Sequence, residues 1–429
     1  MVRNSDKIYM LLATFARLGV GMLTFILLAR FLGPTAFGIL AAAMAYSGLI
    51  NLLTDFGFSV SALRSASADV ANSGAIVCRV LISKAALTVL AVVIATPVVM
   101  LVLPAALWPV YALAMAGTTA NSLADLCIIV ARARRRFDAE AVLVIGNSVL
   151  MTLIVGVVAI VTHDLLASTL AFAASRALYL AITATALRKW LHLGGLAKVG
   201  LRQIAAALKA GAGFAIDGGL TNVAGQIDVL VFSVLLGAHE MGVYQAGARL
   251  AQVISPLAVV LSTVYMPSLS AAAINRDTAG FEKAAFRLNI EFTLLALAAG
   301  AAFTFAGPLL TRLVYGHAYD PLLPLWGGFG AYAVLRLSTS AYGIQLAALG
   351  AVRVRIGSQI ASILFFLMLT FVVFPHQGLA MAPLELAASN AIITAIYSVA
   401  LGRILTRRTS LAATAVLALG FALALCFVH

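Results

Sequence analysis

Charge is scarce in this chain. Of 429 residues only 10% are Asp, Glu, Lys or Arg, against about a quarter in ordinary soluble domains. A soluble fold of this size would have too little polar surface to cover its apolar interior. A soluble enzyme, a nucleic-acid reader and a disordered chain are therefore excluded. Cysteine is scarce as well. Cys78, Cys127 and Cys426 are far apart and set in or beside apolar runs, so they form neither a disulfide framework nor a metal site and read as small buried hydrophobes. The six histidines fall in connections or at the end of the chain, no two of them close in sequence. No HExxH, Walker A loop, GxSxG or paired-cysteine motif occurs, and these are the short patterns that carry metal, nucleotide or nucleophile chemistry. No cofactor is expected, and any uphill work has to come from an ion gradient, the membrane potential or consumption of product.

What is present is hydrocarbon. The chain is 63% hydrophobic with a mean hydropathy of +1.07, and a membrane-spanning helix needs about 20 apolar residues. Apolar runs predict spans at residues 8–31, 37–62, 80–103, 108–130, 142–161, 165–187, 210–236, 243–266, 290–313, 322–349, 356–374, 384–405 and 411–428. The first is too long for a cleavable signal peptide and is interrupted by Arg17 and Arg30. The expected fold is an all-α polytopic membrane protein of about thirteen transmembrane helices.

The formal net charge of +13 follows the positive-inside bias. Arg3 and Lys7 precede the first span. Arg64 and Arg79 lie between the second and third, and Arg132, Arg134, Arg135 and Arg136 follow the fourth. Arg188, Lys189, Lys198, Arg202 and Lys209 follow the sixth; Arg276, Lys283 and Arg287 follow the eighth. Arg353 and Arg355 follow the tenth, and Arg403, Arg407 and Arg408 follow the twelfth. All of these fall on one side if the N-terminus is cytoplasmic, which puts His429 outside. The opposite connections hold almost no Lys or Arg, Arg312 being the main exception. The charge needs no nucleic acid to explain it.

The chain also repeats itself. LGPTAFG, from Leu32 to Gly38, matches LGAHEMG, from Leu236 to Gly242, with Gly33 and Gly237 separated by 204 residues. That offset spans six helices and preserves orientation, so the expectation is two parallel six-helix lobes. Transporters place their site between such repeats. The expected division is an N-lobe at 1–190, a basic cytoplasmic connection at 191–209, a C-lobe at 210–406 and an additional C-terminal helix at 407–429.

Charges at membrane depth are costly and usually face a bundle interior or a wet cavity. Here the cations are Arg17, Lys84, Arg176, Arg249 and Arg336, and the clear anions are Asp55, Asp125, Asp217 and Asp228. Helical spacing aligns Thr14, Arg17, Gly21 and Thr24; Asn51, Asp55 and Ser59; and Thr169, Arg176 and Thr183. It also aligns Asp217, Thr221 and Asp228; Gln245, Arg249 and Gln252; and Tyr332, Arg336, Thr339 and Ser340. These stripes suggest a water-filled lumen, although each residue alone could equally lock two helices together. Lys84 and Asp125 read as locks, since their spans fall away from a seam between lobes. Arg30 can snorkel to the interface, Pro256 can kink its helix, Arg287 can pair with Glu291, and Glu385 falls near an outer end where solvent can reach it.

The opening helix pair, from Ala16 to Arg64, carries Ala29-Arg30-Phe31-Leu32-Gly33-Pro34, then Phe37-Gly38, then Asp55-Phe56-Gly57. A second stretch carries Ile227-Asp228, Leu235-Leu236-Gly237, Gly242-Val243-Tyr244, Ala246 and Arg249-Leu250, and a third runs from Leu313 to Gly316 with Tyr319. Together they resemble the polysaccharide transporter branch of the multidrug/oligosaccharidyl-lipid/polysaccharide (MOP) flippase superfamily, which includes Wzx-type O-antigen and exopolysaccharide flippases. The resemblance implies a bacterial inner-membrane transporter, not an enzyme. Its substrate would be an undecaprenyl-pyrophosphate-linked oligosaccharide, flipped from the cytoplasmic to the periplasmic leaflet by alternating access. Arg17, Arg176, Arg249, Arg336, Gln245 and Gln252 are then candidates to bind substrate, because a guanidinium fork suits pyrophosphate and uronate carboxylates. Asp55, Asp217 and Asp228 are candidates for ion coupling, by proton or sodium, or for gating. The family further implies a polysaccharide polymerase as assembly partner. A peptidoglycan-precursor flippase or a drug/cation antiporter has the same architecture, but an antiporter would favour a more acidic lumen. A membrane polymerase or glycosyltransferase would need a sizeable outer loop, and the outer connections here are short.

Overall fold

The computed structural model describes residues 4–191, 223 and 225–403. The described residues are helical throughout, with no strand among them. That follows from the solvent: hydrocarbon offers nothing to backbone N–H and C=O groups, so each segment must satisfy its own. Nine stretches among the described residues are long and apolar enough to cross a membrane. The chain is a multi-pass membrane protein. The expected seventh span is described only at residue 223 and from residue 225, and the thirteenth lies outside the described residues.

The chain divides into two compact units, before and after the Ser233–Val234 link. The expected connection at 191–209 falls almost wholly outside the described residues. The first unit holds α1 (Asn4–Asp55), α2 (Phe58–Ala68), α3 (Ser73–Val102), α4 (Trp108–Ala133), α5 (Phe137–Thr162) and α6 (Leu165–Ala186), and it ends within α7 (Ile227–Leu235). At about 1.5 Å per residue, α1 is far longer than the ~30 Å hydrocarbon layer. It holds the first two expected spans, separated at Gly33, whose φ of 75° and ψ of 170° are not helical. The following Pro34 has no N–H to continue the ladder. The second arm ends at Phe56 and Gly57, both with positive φ, so α2 starts afresh where sequence periodicity alone would run straight through.

Within this unit α1 packs on α5 and α4, and α4 packs on α6. Helix α5 shows how lipid replaces water as the outer solvent. Ala141, Val144, Met151, Val155 and Ala159 face inward, while Val142, Leu153, Val157 and Val161 are exposed. Both faces are apolar because both surroundings are apolar. Cys78 and Cys127 are free thiols buried in one apolar cluster with Phe58 and Leu126.

The second unit holds α8 (Ala238–Ala251), α9 (Ile254–Ile274), α10 (Thr278–Ala301), α11 (Gly307–Val314), α12 (Trp326–Ala348), α13 (Val352–Gln377) and α14 (Ala382–Gly402). Helix α12 is its axis, packed by α14, α10, α9 and α13 and buried on nearly every face. It is not among the nine most apolar stretches, since an axis ringed by protein needs small residues and hydroxyls more than lipid-facing bulk. Where α10 crosses α12, a Cβ on Gly330 would sit 2.9 Å from the Gly300 carbonyl oxygen and 2.3 Å from Thr304 Oγ1. The eighth expected span is α8 and α9 joined by a bend. The bend lies at Gln252–Val253, earlier than Pro256 itself, because Pro256 cannot donate to the Gln252 carbonyl. Ser255 N takes that acceptor instead at 3.0 Å. We expect Gly330→Ala to lower stability by about 1–3 kcal/mol through overpacking, measured as a lower thermal midpoint of the purified protein in detergent, with Gly343→Ala near neutral.

Candidate functional site

In the first unit the charged residues of three helices meet. Arg17 of α1 donates from Nη2 to Asp125 Oδ1 at 3.1 Å. Asn121, one turn before Asp125 on α4, donates to Asp125 Oδ2 at 3.2 Å. Arg176 of α6 donates to Asn121 Oδ1 at 2.9 Å and lies 5.3 Å over the Phe172 ring. The order is Arg17, Asp125, Asn121, Arg176: among the described residues, two guanidiniums for one carboxylate, so one positive charge is left over. The Arg17 side chain is 50% exposed and that of Asp125 35%. Asp125 thus ties α1 to α4 but remains accessible, which spacing along a single helix could not reveal. The other members of these stripes turn away. Thr24 Oγ1 lies 2.6 Å from Thr152 Oγ1 of α5 as a helix lock, and Thr169 and Thr183 are fully buried.

Asp55 has a different environment. Lys84 of α3, 1% exposed, donates to Asp55 Oδ1 and to Ser122 Oγ of α4, both at 2.5 Å. Ser59 donates to the same Asp55 oxygen at 2.9 Å. The cluster joins α1, α2, α3 and α4, and Lys84 is the lock that its position suggested. Its ammonium is tolerated in the interior because every neighbour is an acceptor. Asp228 is buried at the start of α7. Asp217 lies outside the described residues. An apolar groove of about 560 Å³ opens between the second arm of α1, α3 and α4, lined by Tyr46, Val92, Trp108, Tyr111 and Met115.

In the second unit the residues expected in one stripe are divided among different surroundings. Gln245 is 1% exposed. Arg249 approaches Gln252 Oε1 at 3.4 Å. On α12, Thr339 faces α14, with its Oγ1 2.7 Å from Thr394 Oγ1, and Tyr332 packs against the apolar cluster of Ala331, Leu335, Ala387 and Ala391. Arg336 and Ser340 instead line a cavity of about 460 Å³ together with Arg355, Ser255, Ser262 and Thr263. The cavity offers two guanidiniums and four hydroxyls, and among the described residues no acidic side chain lines it. Arg355 reads from sequence as a loop charge. It reaches the cavity because α13 begins at Val352 and runs back beside the last turns of α12.

Glu291 of α10 is within hydrogen-bonding reach of Tyr265 of α9. One further expectation is corrected. Glu385 is 2% exposed and not solvated, because the short turn at Gly378–Met381 and α13 close over the first turn of α14. Among the described residues no group of three His, Cys, Asp or Glu gathers to hold a metal.

Kinked apolar helices in two units, with guanidiniums in open polar clusters and cavities, define a helical membrane protein with a transporter fold. The chain is similar to an inward-facing multidrug resistance MATE family transporter of the MOP superfamily. The identity is 15%, with 94% of this chain and 98% of that one covered and a TM-score of 0.68. It is also similar to the lipid II flippase MurJ in an inward closed conformation, at 13% identity, 97% and 92% coverage and a TM-score of 0.71. A third similar structure is a point mutant of the Vibrio cholerae MATE transporter VcmN, at 14% identity, 92% and 95% coverage and a TM-score of 0.57. No curated protein matches the chain. The chain belongs to the polysaccharide biosynthesis protein family, whose model matches residues 5–273.

Removing one member of a buried ion pair leaves the other uncompensated, at about 3–5 kcal/mol, while replacing both with apolar groups is often neutral. Lys84→Met is therefore expected to lower the thermal midpoint sharply, and Lys84→Met with Asp55→Leu to restore most of it. Thermal unfolding of the purified variants measures both.

Proposed function

We propose that this protein flips undecaprenyl-pyrophosphate-linked oligosaccharides from the cytoplasmic to the periplasmic leaflet of a bacterial inner membrane, by alternating access. The observation that carries this reading is the cavity shared by Arg336 and Arg355, which has hydroxyls around it and, among the described residues, no acid. It suits a doubly charged anion: guanidinium forks bind phosphate oxygens bidentately, and Ser and Thr hydroxyls can donate to the remaining oxygens or to sugar. The open Arg17–Asp125–Asn121–Arg176 cluster, with its surplus positive charge, supplies a second polar station. Gln245, Arg249 and Gln252 complete the substrate-binding set. Membership of a polysaccharide biosynthesis family and similarity to a protein named as a lipid II flippase support the same class of substrate. A cation antiporter is disfavoured, because a drug cation would meet guanidiniums in these places.

In this reading Asp55 acts as a gate through its bond to Lys84, and Asp217 and Asp228 are the candidates to couple transport to a proton or sodium gradient. The N-terminus is cytoplasmic, the C-terminus periplasmic, and a polysaccharide polymerase takes up the product. The similarity to a lipid II flippase gives a second reading, transport of a peptidoglycan precursor, on the same chemistry.

In a deletion strain, intact repeat units on undecaprenyl pyrophosphate are expected to accumulate on the cytoplasmic leaflet. Accumulation of the peptidoglycan precursor would favour the second reading, and normal translocation with unpolymerised units outside would identify an enzyme. Arg336→Ala with Arg355→Ala, and separately Arg17→Ala or Arg249→Ala, should reduce polysaccharide export at least tenfold in complemented cells. Each variant should still reach the membrane at parental levels. Full export by all of them would remove the site assignment.

A further inference from the structure

One acidic side chain of the second unit is buried away from both polar stations. Glu385, in the first turn of α14, is 2% exposed. Asp55, Asp125 and Glu140 each hold a cation: Lys84, Arg17 and Arg132 respectively. Glu385 has none among the described residues. Among the described residues, the elements packed against α14 hold their charged groups elsewhere. Arg336 of α12 and Arg353 and Arg355 of α13 lie about two turns or more along their helices from Gly328 and Thr370, the positions beside this turn. His317 and Asp320, before α12, pair with each other, and Arg312 also binds Asp320. On α8, His239, Glu240 and Arg249 form no ion pair with Glu385. Tyr332 of α12 packs against the apolar cluster that includes Ala387 and Ala391.

The polar contact of Glu385 is Thr370. Thr370 Oγ1 lies 2.8 Å from Glu385 Oε2 and 2.9 Å from the Phe366 carbonyl oxygen. A threonine hydroxyl has one hydrogen and two lone pairs. The hydroxyl is placed to donate to either oxygen, but one hydrogen cannot serve both acceptors; both contacts are met only if Glu385 carries a hydrogen and donates it, leaving the hydroxyl hydrogen for Phe366. Glu385 Oε1 is buried with no hydrogen-bond partner, tolerable for a neutral acid and very costly for a carboxylate in hydrocarbon.

The site does not stand alone. From Glu385 a buried polar row runs inward along α14 through Ser389, Asn390 and Thr394. Ser362 of α13 donates to the Ser389 carbonyl at 2.9 Å, and Thr339 of α12 meets Thr394. Asn390 Oδ1 is a second buried oxygen without a partner. Two unmet acceptors in one row, in a segment otherwise packed with hydrocarbon, mark a place where a hydrogen carrier belongs.

We propose that Glu385 is a proton-binding site of the second unit. Its carboxyl is held as the neutral acid, with the Oε2 hydrogen donated to Thr370, and it releases that proton when the seam between α13 and α14 admits water. The ligand is the proton itself, not a metal cation, since the row supplies one acidic group and no ring of oxygens around a common centre. This inference is independent of the substrate proposed above.

Infrared spectroscopy of the full chain in lipid nanodiscs tests it directly. At neutral pH the parent protein should show the C=O stretch of a protonated carboxyl in apolar surroundings, shifting in deuterium oxide. Glu385→Gln, which mimics the neutral acid, should fold with an unchanged thermal midpoint and lose the band of one carboxyl per chain. Thr370→Val should keep the band but move its frequency, which covers the case in which Glu385→Gln fails to accumulate. His376→Asn, removing the other titratable residue at this end of α13, should leave the band in place. A parent protein without the band, a band untouched by Glu385→Gln and Thr370→Val, or a band abolished by sodium at constant pH would each overturn the assignment.

Discussion

Hydrocarbon does not solvate charge, and most of this molecule is arranged around that fact. A buried ammonium such as Lys84 is stable only because Asp55 and Ser122 stand within 2.5 Å of it. To bring them there, the second arm of α1, α3 and α4 must converge at one height. The same demand sets the backbone: every helix closes its own hydrogen bonds, and breaks occur where chemistry forces them, at Gly33-Pro34, at Phe56-Gly57 and ahead of Pro256. Charge satisfaction and backbone satisfaction are one constraint acting at two scales.

The polar side chains fall into two kinds under this constraint. Lys84–Asp55, Thr24–Thr152 and Thr339–Thr394 are closed on themselves and join helices. Among the described residues Arg17, Arg176, Arg336 and Arg355 are not closed: the first two share a single acid, and the last two line a cavity with none. Unbalanced positive charge inside a bilayer protein destabilises it unless water or an anion compensates. That imbalance is why we propose the guanidiniums as the place where an anionic substrate binds. Glu385 shows the opposite solution, an acid that avoids charge by holding a proton.

Sequence determined what depends on composition and local spacing. Low charge and long apolar runs required a helical membrane protein, and the glycine-proline segment at residues 29–34 carried the family resemblance that the match over residues 5–273 bears out. The candidates Arg17, Arg176 and Arg336 were legible because an arginine in an apolar run is conspicuous. Tertiary structure decided the partners. Periodicity put Thr339 on the same stripe as Arg336, but α14 captures Thr339 while α9 and α13 leave Arg336 open to a cavity. Arg355 looked like a loop charge until the turn after α12 folded α13 back beside it, and Glu385 looked solvated until the turn before α14 covered it. The reason is geometric. A helical repeat fixes which side chains share a face, whereas the neighbour that face meets depends on how helices distant in sequence cross. Whether a buried charge is a lock or a site is a property of that neighbour.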